Sequence, residues 1–270
     1  MPSFAHGDVD LYYEIRGRGK PVLLVAGLAS DNAFWLPVVD AFAAHRQVIV
    51  VDNRGSGRTT PMDTATGIGA MADDCAALVR HLRLAGVDLV GHSMGGMIAQ
   101  EFALQYPKRV RSLILGCTAA GGPHAVRAEP AALQALTRQG MTPEESMEAI
   151  IPFIYDAATP RERIDEDMAI RMKWYPTPQG YAGQLQGIFA WEAYSRITRI
   201  AAPTLVIHGE SDRLIPPANA RLITARIPGA KLALIPRASH IFDSDQPDTA
   251  RHAILEFLSA QHGRAPRSQA

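Results

Sequence analysis

The stretch Val87-Asp-Leu-Val-Gly91-His92-Ser93-Met94-Gly95-Gly96 constrains this chain more than any other. Val87–Val90 is a mostly apolar run of strand length, and Met97–Tyr106 follows at once as a helix-forming run. Only a very tight turn joins a strand to a helix over so few residues. Glycines two before and two after Ser93 leave the room such a turn needs, and the serine between them is forced into a strained backbone conformation. The predicted result is a hydroxyl lifted above a sheet at the positive end of a helix, where backbone N–H groups stabilise an anion. Gly-x-Ser-x-Gly alone is a common pattern. Between a buried strand and a helix it becomes specific.

The rest of the chain supplies that sheet. Val22–Val25, Gln47–Val51, Ser112–Leu115, Thr204–Ile207 and Leu232–Ile235 are short and mostly apolar throughout, as strands covered on both faces require. Helix-length segments alternate with them at Asn32–Ala44, Met71–Leu84, Gly95–Gln105, Pro217–Arg226 and Asp248–Ala260. The pattern predicts an α/β fold with a doubly wound, mostly parallel sheet. Asp10–Arg16 alternates instead, which predicts an antiparallel edge strand. Between Gly121 and Arg199 the alternation stops. Pro130–Arg138, Pro143–Ile151 and Pro160–Trp174 read as helices, and no buried strand is evident. The expected organisation is a core of residues 1–120 and 200–262, a helical cap of 121–199, and a flexible tail of 263–270.

A serine hydroxyl needs a base, and the base needs an orienting carboxylate. Of nine histidines, His240 follows the strand Leu232–Ile235 and precedes the last helix, so it reaches the carboxyl edge of the sheet where Ser93 emerges. His92 is expected to point elsewhere, and His208 reads as a core or rim histidine. Asp212 follows the strand Thr204–Ile207 at the same edge, with Glu210 as its nearest competitor. The order Ser93, Asp212, His240 is the nucleophile–acid–base order that accompanies this turn. Two backbone N–H groups are placed to receive an oxyanion, those of Leu28, in Ala26-Gly-Leu-Ala29, and of Met94. For the substrate pocket, Met141, Phe153, Tyr155, Trp174, Tyr175, Phe189 and Trp191 are candidate cap residues. Arg127 and Arg171 are candidate contacts for an acidic substrate.

At 270 residues the chain can form one large α/β domain or two small ones. Lys plus Arg and Asp plus Glu both number 27, so nothing electrostatic favours nucleic acid or an anionic membrane as a partner. Cys75 and Cys117 have unrelated contexts, which argues against a disulfide framework or a structural zinc site. The beginning of the chain lacks a basic segment followed by an apolar core. The expectation is a cytoplasmic protein that needs no metal or organic cofactor. A nucleotide-binding fold would need a Gly-rich loop after the first parallel strand, and Ala26-Gly-Leu-Ala-Ser30 is a poor match.

With these residues in place the chain resembles the α/β-hydrolase superfamily over almost its whole length. The matching features are Ala26-Gly27-Leu28, Asp52-Asn-Arg54-Gly-Ser-Gly57, the turn at Ser93, Gly209-Glu-Ser-Asp212 with Pro216, and His240 with Asp245 and Pro247 downstream. Two positions depart from the family pattern: Ala26 stands where His is usual, and Ser239 stands where Gly is usual. The resemblance implies acyl transfer to water from a small-molecule ester or lactone, through an acyl-enzyme on Ser93, in the manner of carboxylesterases and lactonases. It also spans cofactor-free perhydrolases, hydrolases of carbon–carbon bonds, and receptor-like proteins with weak or no turnover. The Asp52–Gly57 segment is expected to be structural.

Overall fold

The computed structural model describes residues 2–62, 67–138 and 140–261; the expected C-terminal tail lies outside them. Eight strands among the described residues form one sheet: β1 (Ser3–His6), β2 (Val9–Arg16), β3 (Lys20–Val25), β4 (Arg46–Val51), β5 (Val87–His92), β6 (Val110–Gly116), β7 (Thr204–Gly209) and β8 (Lys231–Ile235). Their spatial order is β1-β2-β4-β3-β5-β6-β7-β8. From β4 onward every neighbouring pair is parallel; β1 with β2 and β2 with β4 are antiparallel. Side chains along a strand alternate between faces, so the continuous apolar runs serve two cores. Leu23, Val25, Ile49, Val51 and Leu89 pack into one, with α2 (Ile68–His81) and α3 (Met94–Gln105). Val22, Leu24, Val48, Val50 and Val90 pack into the other, with α1 (Leu36–Ala43) and the C-terminal helix Pro247–Ala260. The expected doubly wound α/β architecture is the one observed.

Several boundaries differ from expectation. Asp10–Arg16 lies within β2 but is not the edge strand, because the short, half-exposed β1 pairs outside it. Asn32–Ala44 is not one helix. Asn32–Trp35 forms a 3₁₀ turn and α1 begins only at Leu36, since Pro37 has no N–H to bond back to Ala33. The second helix starts at Ile68 and ends at His81, about one turn earlier than the expected Met71–Leu84.

Between β6 and β7 the chain carries α4 (Pro130–Thr137), α5 (Pro143–Ile154), α6 (Arg161–Arg171) and α7 (Pro178–Ala190). Sequence reasoning did not find α7, and it ran α6 on to Trp174, where a 3₁₀ turn stands instead. A bridge from Gly121 to Glu192 and the Ala193 N–H bond to the Ala120 carbonyl close the neck of this insertion. Ile150, Ile154 and Ile164 of the insertion belong to the second core. After β7 come α8 (Ala218–Arg226), then β8, the short α9 (Phe242–Asp245) and α10 (Pro247–Ala260). No helix among the described residues is long and apolar enough to cross a membrane.

One buried charge anchors β5, the strand that carries the Ser93 turn. Asp88 accepts hydrogen bonds from Arg46 Nη1 at 2.8 Å and from the Ser112 hydroxyl at 2.9 Å, and it is fully buried. Removing one partner of a buried pair leaves the other charge uncompensated. Asp88→Ala is therefore expected to destabilise the fold by about 3–5 kcal/mol, read as a lowered urea midpoint. A loss below about 1 kcal/mol would show that this pair does not secure β5.

Candidate active site

Ser93 leaves β5 with φ 57° and ψ −120°, a conformation that costs a non-glycine residue energy. The surroundings hold it there. Its N–H donates to the Gly116 carbonyl at 2.8 Å, and its own carbonyl accepts from the Gly96 N–H at 2.9 Å. A Cβ on Gly91 would stand 2.2 Å from the Gly95 carbonyl oxygen, and one on Gly95 would stand 2.1 Å from that of Val25. The glycines two either side of Ser93 are thus required by close backbone approach, as the sequence predicted. The N-terminus of α3 begins at the next residue, Met94.

Two further strands, β7 and β8, both beyond β6 on one side of β5, bring the other two candidates to the same edge. Asp212 follows β7 and His240 follows β8, and His240 Nδ1 lies 2.8 Å from Asp212 Oδ2. Oδ1 of the same carboxylate accepts from the backbone N–H groups of Leu214 at 2.9 Å and Ile215 at 2.8 Å. Burial alone pushes the Asp212 carboxyl up. The charge of His240 and the hydrogen bonds of His208 and His240 outweigh it, so the acid sits well below the usual carboxylate range. Glu210, the competing acid, is exposed. Ser93 and His240 line one cavity.

Two histidines set aside on sequence grounds belong to this cluster. His92 does not point elsewhere. It lines the cavity, its ring centroid is 4.9 Å from that of His240, and its Nε2–H donates to the His240 carbonyl at 2.8 Å. Its other face meets Phe34 at 4.7 Å. Burial, followed by the neighbouring His240 charge, lowers its pKa well below the usual imidazole range. His208 is a core histidine as expected, yet its Nε2 also lies 3.1 Å from Asp212 Oδ2, with the Ile215 carbonyl accepting at 2.7 Å. The acid is therefore gripped from four sides. His208 sits four residues before Asp212, and that spacing from the end of a strand into its loop was the only sequence clue.

The loop after β3 is tied in place from two directions. The Asn53 side-chain amide donates to the Ala26 carbonyl at 2.9 Å, and the Ser56 hydroxyl to that of Ser30 at 3.1 Å. From α7, Gln184 accepts from the Ala29 N–H at 3.0 Å and donates to the Arg54 carbonyl at 2.7 Å. Asp52–Gly57 thus has the structural part expected of it. Ala26, where the resembled family has His, is held by its backbone. Among the described residues, the N–H groups of Leu28 and Met94 have no hydrogen-bond acceptor, and both residues line the cavity beside Ser93. Ser239 fastens the histidine loop, its N–H donating to Asp245 at 2.6 Å, while Asp245 also accepts from Asp156 and Thr159 of the insertion.

The cavity has a volume of about 710 Å³ and runs between the insertion and the sheet edge. Its wall is largely apolar, with Met97, Leu133, Met147, Ile150, Ile188 and Leu214 among the contributors. Of the seven expected cap residues only Tyr175 and Phe189 reach it. Met141, Phe153, Tyr155, Trp174 and Trp191 do not. Trp191 turns its ring N–H to Glu101 at 2.7 Å, and Tyr155 donates to Asp167 at 3.1 Å. Arg127 and Arg171 both line the wall.

Metal-ligating groups also gather here. Single ligand atoms of His92, Cys117 and His240 lie within 4.8 Å of one another, as do those of Cys117, His208 and Asp212. These groups are already engaged with one another. Burial, and then the Asp212 charge, pushes the Cys117 thiol well above its usual range.

Known proteins place this geometry in a family. The model of the alpha/beta hydrolase fold matches residues 20–245. A protein provisionally named as the carbamate hydrolase RutD, from Azorhizobium caulinodans, is 33% identical over 95% of this chain and 98% of its own. A malate-bound thermophilic esterase from Thermogutta terrifontis superimposes with a TM-score of 0.82 at 30% identity, covering 94% of each chain. The enol-lactonase of Burkholderia xenovorans gives 0.84 at 27% identity, over 96% of this chain and 100% of its own. With the sheet order, the serine turn and the family match in agreement, this chain belongs to the alpha/beta hydrolase fold family.

Proposed function

We propose that the protein is a serine hydrolase that cleaves carboxylic esters, lactones included, through an acyl-enzyme on Ser93. The observation that carries this reading is Ser93, held at φ 57° in the wall of a cavity that also contains an Asp212-bonded His240. His240 accepts the Ser93 proton as Oγ attacks the ester carbonyl. The imidazolium that forms is stabilised by Asp212, whose carboxylate stays ionised because its hydrogen bonds favour the charged form. The carbonyl oxygen becomes an oxyanion, received by the N–H groups of Leu28 and Met94 at the start of α3. Protonated His240 then gives its proton to the departing alcohol. Water enters, His240 removes a proton from it as it attacks the acyl carbon, and that proton is returned to Ser93 Oγ as the acid departs.

The insertion acts as the cap of this site and sets its selectivity. Carbamate, the substrate in one relative's name, is a small polar ion, whereas a 710 Å³ apolar cavity suits a substrate with an extended apolar part. Hydrolysis of 4-nitrophenyl esters of increasing acyl length, run beside a set of lactones and carbamate, tests the assignment. The expected result is a kcat/KM that rises from acetate to medium-chain esters, because each buried CH₂ adds about 0.8 kcal/mol of binding. Turnover of carbamate alone, with every ester and lactone inert, would overturn it.

A further inference from the structure

The cavity wall contains two arginines and, among the described residues, no acid. Arg127 is exposed, where water serves its donors. Arg171 is different. It ends α6, is half-buried, and its guanidinium carbon lies 4.7 Å from the centre of the Phe34 ring. Among the described residues its guanidinium closes no hydrogen bond and no ion pair. The most buried arginines have carboxylate partners: Arg46 has Asp88, and Arg54 has Asp74. Nearby acids feel its charge without bonding to it. Asp167 accepts the Tyr155 hydroxyl, Asp31 accepts the Ala33 N–H, and both oxygens of the buried Asp243 lack a hydrogen-bond partner, burial pushing that carboxyl up to about 7 against the pull of the Arg171 charge.

A guanidinium in an apolar wall has given up much of its hydration. Its fork of donors matches a carboxylate in two parallel hydrogen bonds, which are stronger where water is excluded. A positive cavity also concentrates anions at its mouth. Phe34 fixes the position of the cation on one side and packs against His92 on the other, so Arg171 is tied to the same wall as His240.

We infer that Arg171 is a substrate-binding group for a carboxylate, and that the preferred substrate is an ester or lactone bearing a carboxylate across an apolar spacer from the reacting carbonyl. This rests on the serine-hydrolase reading for its turnover but not for its binding step. The mono-4-nitrophenyl ester of adipic acid is compared with 4-nitrophenyl hexanoate, which has the same chain length without the charge. The native protein should show a KM about ten- to a hundredfold lower for the charged ester, the effect expected of a charge-assisted pair. Arg171→Met should erase that preference, raising KM for the charged ester at least tenfold more than for the neutral one. Arg171→Lys should restore it in part. Equal losses on both esters would mean that Arg171 only packs the wall, and would overturn the proposal, as would a native preference for hexanoate.

Binding separates the two readings. Ser93→Ala should bind monomethyl adipate in calorimetry, and the additional change Arg171→Met should weaken that binding at least tenfold. If this binding is seen while neither aryl ester is cleaved by the native protein, the hydrolase reading fails and the carboxylate site stands. If hexanoate ester is cleaved and monomethyl adipate binds independently of Arg171, the hydrolase reading stands and the carboxylate site fails.

Discussion

Ser93→Gly is expected to abolish ester hydrolysis, lowering kcat by roughly 10⁶-fold, while making the protein more stable. Both effects come from one position. Loss of Oγ removes the atom that forms the acyl-enzyme, leaving only what binding and the oxyanion donors contribute. The backbone at this position, φ 57° and ψ −120°, is costly for serine, whereas glycine tolerates it. The gain should be about 1 kcal/mol, seen as a higher thermal midpoint, and Ser93→Ala should lose activity equally without that gain. A Ser93→Gly protein that kept more than about one-hundredth of native kcat would exclude Ser93 as the nucleophile.

Asp212→Asn is the second large effect, with an expected loss in kcat of about 10⁴-fold. Oδ1 is held by the Leu214 and Ile215 N–H groups, so the asparagine keeps its carbonyl oxygen there. Its NH₂ then replaces Oδ2 and faces His240 Nδ1, where an acceptor is needed. The imidazole is driven to the tautomer with its proton on Nε2, and it can no longer take a proton from Ser93. The same NH₂ meets the Nε2–H of His208, which retains the Ile215 carbonyl as its acceptor. The fold should survive, checked by circular dichroism. A loss of less than about tenfold would show that Asp212 does not orient the base.

What the sequence revealed depended on how far each feature is a local matter. The central strands were legible because a strand covered on both faces must be largely apolar: Val22–Val25 is so throughout, and Val87–Val90 is so apart from Asp88, which is paired with Arg46. The chain-order logic placed Asp212 and His240 because each directly follows a strand of a parallel sheet. β1 was missed for the opposite reason: four half-exposed residues at an edge carry almost no pattern. The helix α7 was missed because Gly180, Gly183 and Gly187 lower its intrinsic propensity. Gly180 is there for packing, since a Cβ on it would come within 2.5 Å of the Gly55 carbonyl oxygen, and that close approach lets Gln184 reach the Ala29 loop. The pocket lining was misread because large aromatics were favoured over helix faces. Trp191 and Tyr155 are spent on hydrogen bonds to buried acids, while plain aliphatics such as Ile150 and Leu133 form the wall. The contact of His92 to His240 joins separate strands, and no spacing in one sequence encodes it; the contact of His208 to Asp212 had only the four-residue spacing to signal it.

The central claim is that Ser93 is a nucleophile activated by its surroundings, and intact mass spectrometry after treatment with a fluorophosphonate tests it most directly. The native protein should gain the mass of one phosphonyl group, with peptide mapping placing it on Ser93, and Ser93→Ala should gain none. Asp212→Asn should label far more slowly than the native chain. An unlabelled native protein, or equal labelling of native and Ser93→Ala proteins, would contradict the account.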